Sequence, residues 1–208
     1  MRLRDGPRDG LVQGWRYRRP ADEVAPARPV RIALRLRRES RMTLGRITER
    51  LQMDTIYIET TIVSYLVANA SRDLILAAHQ EITREWWREE RGRYQCVTSE
   101  EVIREISLGD PSMSHRRVEA LSEIPVLRVD DAVRLLAKEL VQERLLPPAV
   151  ISDALHAAVA SLHKVDYLLT WNCRHLANPH LQKGLRTFMA VRGLVLPEIC
   201  TPIDLAGD

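Results

Sequence analysis

From residue 53 onward, short apolar runs alternate with longer stripes of helical period. Thr55, Ile56, Tyr57 and Ile58 form a β-rich apolar run that predicts a buried strand over 55–58. Glu59, Thr60 and Thr61 end it, and Ile62, Val63, Tyr65 and Leu66 predict a short helix. Leu74, Ile75, Ala78, Ile82 and Trp86 recur at helical spacing, which predicts a long charged helix over 73–91 stopped at Gly92. A second strand is expected over 94–98, followed by a helix over 100–108 capped by Ser99 and closed by Gly109. A helix over 114–122, a strand over 126–129 and a helix over 130–144 come next, and Pro147-Pro148 breaks the chain. The clearest stripe is Ile151, Ala154, Leu155, Ala158, Val159 and Leu162, one continuous buried face. A strand over 166–170, a polar helix over 179–191 and a strand over 199–201 complete the chain. The order β-α-α-β-α-α-β-α-α-β-α-β predicts an α/β fold: a three-layer α/β/α arrangement with a mainly parallel central sheet.

Charge divides the 208 residues into two parts. Residues 1–52 carry 14 Arg, no Lys and 6 acids, whereas 53–208 carry 17 Lys and Arg against 22 acids. The leader has no sustained apolar periodicity; one alternating stretch, 30–36, could pair as a short strand. It reads as a basic, disordered segment or as an over-extended translation of upstream sequence, with Met42 and Met53 as alternative starts. No function is placed there, although an arginine-rich tail can bind phosphates. No apolar run approaches the roughly 20 residues needed to span a bilayer. Three scattered cysteines make neither a disulfide framework nor a zinc site, so a cytoplasmic setting is expected.

Ligands of open parallel sheets bind outside the carboxyl ends of the strands, which makes the polar residues there the candidates for chemistry. Glu59 follows the first strand, and Glu100, Glu101 and Glu105 lie on the helix after the second. Asp153 opens the amphipathic helix, and Asn172 stands two residues past Thr170. Acids converging on one crevice raise each other's pKa, and a divalent cation relieves the repulsion. Carboxylates with no His or Cys cluster suit Mg²⁺ or Mn²⁺ better than zinc, and such an ion favours phosphodiester hydrolysis. Each acid also has a structural reading. Glu59 can face solvent at a strand end, Asp153 can be a cap, and Asp166 reads as a surface turn residue. Glu100 and Glu101 are assigned to structure, because a helix dipole favours acids in its first turn. Glu105 lies in the second turn, where the dipole explains little.

Four segments then resemble the PIN domain in order and spacing. They are Ile56-Tyr57-Ile58-Glu59-Thr60-Thr61-Ile62, Thr98-Ser99 with Glu105-Ile106 beyond it, Asp153-Ala154-Leu155-His156-Ala157-Ala158, and Tyr167-Leu168-Leu169-Thr170-Trp171-Asn172. The resemblance is to VapC-type toxins and their relatives. It covers 53–208 and leaves the leader outside. It implies a PIN-like domain over 53–208 that cuts RNA with Mg²⁺ or Mn²⁺. Glu59, Glu105 and Asp153 match the family's first three acids as metal ligands, and Asn172 stands where a fourth acid often does. It also implies a cognate antitoxin packed on the first helices, over 62–66 and 74–87, and allows a homodimer. Two departures stand out: the first acid is Glu instead of the usual Asp, and the fourth position is neutral, which weakens the charge available to a cation.

Among the remaining residues, Thr60 reads as a helix cap or as a hydroxyl in the metal shell, and Trp171 as packing or as a base-stacking platform. His156 and His163 read as helix residues with local hydrogen bonds, and Cys173, His175 and His180 lack metal-finger spacing. Trp86 and Trp87 are adjacent on a charged helix and cannot both face one core, which points to a partner surface. The leading expectation is a metal-dependent endoribonuclease, the toxin of a type II toxin–antitoxin pair. One alternative is a catalytically weak or inactive PIN-fold module binding nucleic acid or a protein partner. Another is a different metal-dependent phosphohydrolase on a similar sheet.

Overall fold

The computed structural model describes residues 53–206; the leader, its 30–36 stretch included, and residues 207–208 lie outside the described residues. Five strands form one sheet: β1 (Thr55–Ile58), β2 (Gln95–Ser99), β3 (Val126–Leu127), β4 (Tyr167–Leu169) and β5 (Glu198–Cys200). Their order is β3-β2-β1-β4-β5, and every neighbouring pair is parallel. Seven α-helices connect them: α1 (Thr60–Val67), α2 (Leu74–Glu89), α3 (Glu100–Ile106), α4 (Pro111–Ala120), α5 (Asp131–Gln142), α6 (Ile151–Leu162) and α7 (Pro179–Val191).

This order places β1 at the centre. The chain steps outward to β2 and β3, then crosses back to β4 and β5 on the other side. Parallel strands are joined by right-handed crossovers, so the outward helices cover one face and the returning ones the other. The packing agrees: α1 contacts α2, α3 and α4, and α5 lies against α6. The result is a three-layer α/β/α fold. Ile56, Tyr57, Ile58, Leu168 and Leu169 are fully buried in the two central strands. Each such aliphatic side chain contributes roughly 1.5–3 kcal/mol by leaving water.

Several helix starts follow from local chemistry. Asp73, Ser99, Asp110 and Asp130 cap α2, α3, α4 and α5 through their side chains, and Pro111 sits in the first turn of α4. Glu59 caps α1 by accepting from Thr61 N, so the cap expected of Thr60 lies one residue earlier. Strand β3 is two residues shorter than its apolar run. Val129 N–H donates to Glu100 Oε2 at 2.8 Å, and the Arg128 carbonyl accepts from His163 Nε2 at 3.2 Å. Side chains there take the place of a β ladder, and the partner of His163 is 35 residues away instead of local.

Helix α2 corrects the apolar stripe. Leu74 and Ile75 are 86% and 71% exposed, and the buried face is Gln80, Thr83 and Trp86. Trp171 Nε1 donates to Thr83 Oγ1 at 2.7 Å, and Gln80 bridges Ser71 N and the Asn69 carbonyl, so polar groups with long-range partners turned the helix. Trp86 joins the core against Tyr94, while Trp87 is half-buried under Arg91. Trp86 is thus a core residue, and the pair does not stand together at the surface. Ile62 and Val63 of α1 also face the core. Among the described residues, no helix is long and apolar enough to cross a membrane.

Candidate active site

The strand order reverses direction between β1 and β4, and it is at the carboxyl ends of such a pair that open parallel sheets form a ligand crevice. Glu59 leaves β1 at this point, and Thr170, Trp171 and Asn172 leave β4 beside it. Helix α3 begins at the end of β2 and brings Glu101 and Glu105. Helix α6 runs back toward the start of β4, so its own first turn, with Ser152 and Asp153, lies at the same end of the sheet. Four separate elements thus supply the polar residues of one crevice.

Glu59 is 3% exposed, which removes the reading of a solvent-facing strand end. Its Oε2 accepts from Thr61 N at 2.9 Å, Thr61 Oγ1 at 2.5 Å and Thr170 Oγ1 at 2.8 Å. Its Oε1 lies 3.8 Å from His156 Nε2. Glu105 Oε2 accepts from Thr60 Oγ1 and from His156 Nε2, the latter at 3.1 Å. Donor atoms of Glu59, Glu105 and His156 all lie within 4.8 Å of one another.

His156 is fully buried between the two glutamates, one helical turn beyond Asp153. Its Nδ1 meets Tyr57 Oη at 2.8 Å, and Tyr57 Oη meets Ser99 Oγ at 2.7 Å. These partners are 51 and 99 residues away, in place of the local bonds the sequence suggested. Burial works against the imidazolium. The Glu105 hydrogen bond and the charges of Glu59, Glu105 and Asp153 outweigh it and raise the His156 pKa. Burial likewise pushes the Glu105 carboxyl up, but hydrogen bonds and charge from His156, with Thr60 and Ser152, hold it down at about 2.

Asp153 and Asn172 make a second pair. Asn172 Nδ2 donates to Asp153 Oδ1 at 2.9 Å, and Asn172 Oδ1 accepts from His175 N at 3.1 Å. Asp153 Oδ2 is buried with no aligned hydrogen-bond donor, although His175 Nδ1 stands 2.8 Å away. Thr170 joins the two pairs: its hydroxyl donates to Glu59, and it accepts from Asn172 N at 2.9 Å. The structure thus brings Glu59 and Glu105 together around His156 and ties Asp153 to Asn172, with Asp153 outside the 4.8 Å group.

Glu101 is 6% exposed and forms a fork with Arg104, whose hydrogen bonds lower its pKa against the effect of burial. Trp171 is packing: it stacks on His79 at 4.0 Å and is 7% exposed. Sequence reasoning read His156 as a helix residue with local bonds, set His175 aside for lack of metal-finger spacing, and gave Thr170 and Ser152 no role. The one available signal was the i, i+3 spacing of Asp153 and His156, which puts both on one helix face.

No protein-family model matches the chain, and no curated protein matches it. Among solved structures, a chain of the crystal structure of VapBC2 from Rickettsia felis, bound to a DNA fragment from their promoter, is similar over 71% of this chain and 98% of that one. Its sequence identity is 12% and its TM-score 0.42.

Proposed function

We propose that this chain is a metal-dependent endoribonuclease that hydrolyses RNA phosphodiester bonds with Mg²⁺ or Mn²⁺, acting in the cytoplasm as the toxin of a type II toxin–antitoxin pair. One observation carries the reading: buried Glu59 and half-buried Glu105, brought from different elements, converge with His156 within 4.8 Å at the carboxyl ends where the sheet reverses. Carboxylates brought together away from water are costly, and a divalent cation offsets part of that cost. The resemblance of the surrounding segments to PIN domains supports the same chemistry.

The donor set fits a divalent ion. Glu59 Oε2, Glu105 Oε2 and Asp153 Oδ1 are each held by protein donors. Glu59 Oε1, 3.8 Å from His156 Nε2, and Asp153 Oδ2, beside His175 Nδ1, are the oxygens without an aligned donor. Glu59, Glu105 and Asp153 are the proposed metal ligands, and oxygen donors of this kind suit Mg²⁺ and Mn²⁺. When bound, the ion supplies Lewis acidity toward the phosphodiester and a more acidic water. Thr61 and Thr170 orient Glu59, Thr60 and His156 orient Glu105, and Asn172 orients Asp153. Asn172 therefore acts as a positioning residue, its carbonyl already taken by His175 N. Leu74 and Ile75, exposed on α2, are the proposed seat of a cognate antitoxin.

A second reading has one observation in its favour. His156, its pKa raised against burial by Glu105 and Glu59, stands between the two acids, 3.1 Å from Glu105 Oε2 and 3.8 Å from Glu59 Oε1, where its protonated form would take the place of part of a metal's charge. On that reading the chain is an inactive module that binds nucleic acid or a protein. Cleavage of a mixed RNA pool decides between them. Wild-type protein should cut in Mn²⁺ or Mg²⁺ and not in EDTA, and Glu105→Gln and Asp153→Asn should fall to background while circular dichroism shows them folded. Cleavage that survives EDTA and both substitutions rejects the metal mechanism, and no cleavage with either ion favours the inactive module.

A further inference from the structure

Arg104 immediately precedes Glu105 on α3, and its side chain is 56% exposed. Its Nε donates to Glu101 Oε2 at 2.9 Å and its Nη2 to Glu101 Oε1 at 2.6 Å. Nη2 also reaches Ser152 Oγ at 3.2 Å, and the Ser152 hydroxyl donates to Glu101 Oε1 at 2.6 Å. The guanidinium is therefore anchored to α3 and to the first turn of α6, the two helices that carry Glu105 and Asp153. Its anchor is a carboxylate that is itself buried, so the fork is rigid although the arginine is at the surface. Nη1 makes no hydrogen bond among the described residues. Arg174, exposed on the loop of Asn172 and His175, has no comparable side-chain anchor among them.

The crevice beside this fork holds Glu59, Glu101, Glu105 and Asp153, a field that repels a nucleic-acid backbone. A guanidinium held in place offers planar, charge-assisted donors to phosphate oxygens, with much of its side-chain entropy already lost. We propose that Arg104 is a substrate-contacting residue that receives a backbone phosphate of RNA at the mouth of the acid crevice. This rests on the nuclease reading for its substrate class. The rival role for the fork is purely structural, as a clamp between α3 and α6.

The test uses the full chain and a fluorescein-labelled single-stranded RNA of mixed sequence. Anisotropy in EDTA over a salt series gives affinity, and turnover in Mn²⁺ gives KM and kcat. Arg104→Gln should weaken binding about tenfold and lower the slope of log affinity against log salt by about 0.7, one phosphate contact on a single strand. KM should rise with kcat within about twofold. Arg104→Lys should keep most of the slope, because the charge remains. A clamp alone would lower the melting temperature of Arg104→Gln and leave the slope unchanged, which overturns the proposal. If Arg104→Gln fails to fold, Arg104→Lys decides: it should keep the slope but bind severalfold more weakly, because an ammonium lacks the planar donor set, and wild-type affinity in that folded variant overturns the proposal. Wild-type protein that binds no RNA rejects the contact. Wild-type protein that binds RNA with the Arg104-dependent slope but never cleaves it rejects the nuclease reading and leaves the contact standing.

Discussion

At the scale of single residues, the crevice is governed by which oxygen of each carboxylate is already occupied. Asn172 illustrates this, since its amide nitrogen satisfies Asp153 Oδ1 at 2.9 Å. Asn172→Asp replaces that donor with a second carboxylate. Without metal the variant should lose about 1–3 kcal/mol of stability, the cost of an unsatisfied buried group. Mn²⁺ should recover it, so thermal melts should show a larger Mn²⁺-induced rise for the variant than for wild type. An unchanged metal-free melting temperature would place Asp153 and Asn172 in a wetter setting than described. Glu101 gives a pH prediction with a definite sign. Its folded pKa is lowered, first by the Arg104 hydrogen bonds. Its contribution to stability is thus complete above the unfolded glutamate value of about 4.3 and is lost as pH falls through the folded value. Melting curves of wild type and Arg104→Gln should separate above about pH 4.3 and converge in stronger acid.

At the scale of elements, α2 separates helical period from burial. Its most apolar residues at the N-terminus, Leu74 and Ile75, are exposed, while Gln80 and Thr83 are buried with Trp86. Trp86→Ala should cost about 3–5 kcal/mol in denaturant unfolding, the loss of a large core side chain. Leu74→Ser should change stability by less than about 0.5 kcal/mol. Equal effects would put the buried face where the apolar stripe lies. Helix α6 behaves differently: Ala154, Ala157, Ala158, Val159 and Ala160 are all fully buried. Small side chains let it lie close to neighbours on every side, which is how His156 reaches Tyr57 and Glu105 at once.

At the scale of the whole molecule, residues 53–206 contain a complete five-stranded sheet with helices on both faces. We propose that 53–208 is the folding unit. Protein beginning at Met53 should keep one cooperative thermal transition with a melting temperature close to that of the full chain. A large drop would show that the arginine-rich leader packs on the body. The reversal of strand direction between β1 and β4 is also a property of the whole, because it alone makes Glu59 and Thr170 neighbours across 111 residues.

The order of strands and helices, the boundaries of β1, α6 and α7, and the cap at Ser99 were legible in the sequence. Each depends on residues close along the chain: periodicity, a polar cap, a Gly or Pro break. The candidate acids Glu59, Glu105 and Asp153 were read at a strand end and on helices beyond the strands, and expected to converge, because a parallel sheet places its ligands there. The partners each acid takes were not legible. That His156 stands between Glu59 and Glu105, that Asp153 pairs with Asn172 and His175, and that Gln80 and Thr83 turn α2 away from its apolar stripe are contacts between distant segments. Local pattern carries the information for elements, since helix and strand bonds close within or between regular runs. The protonation, exposure and pairing of a side chain depend on which distant groups share its cavity, and only the folded chain decides that.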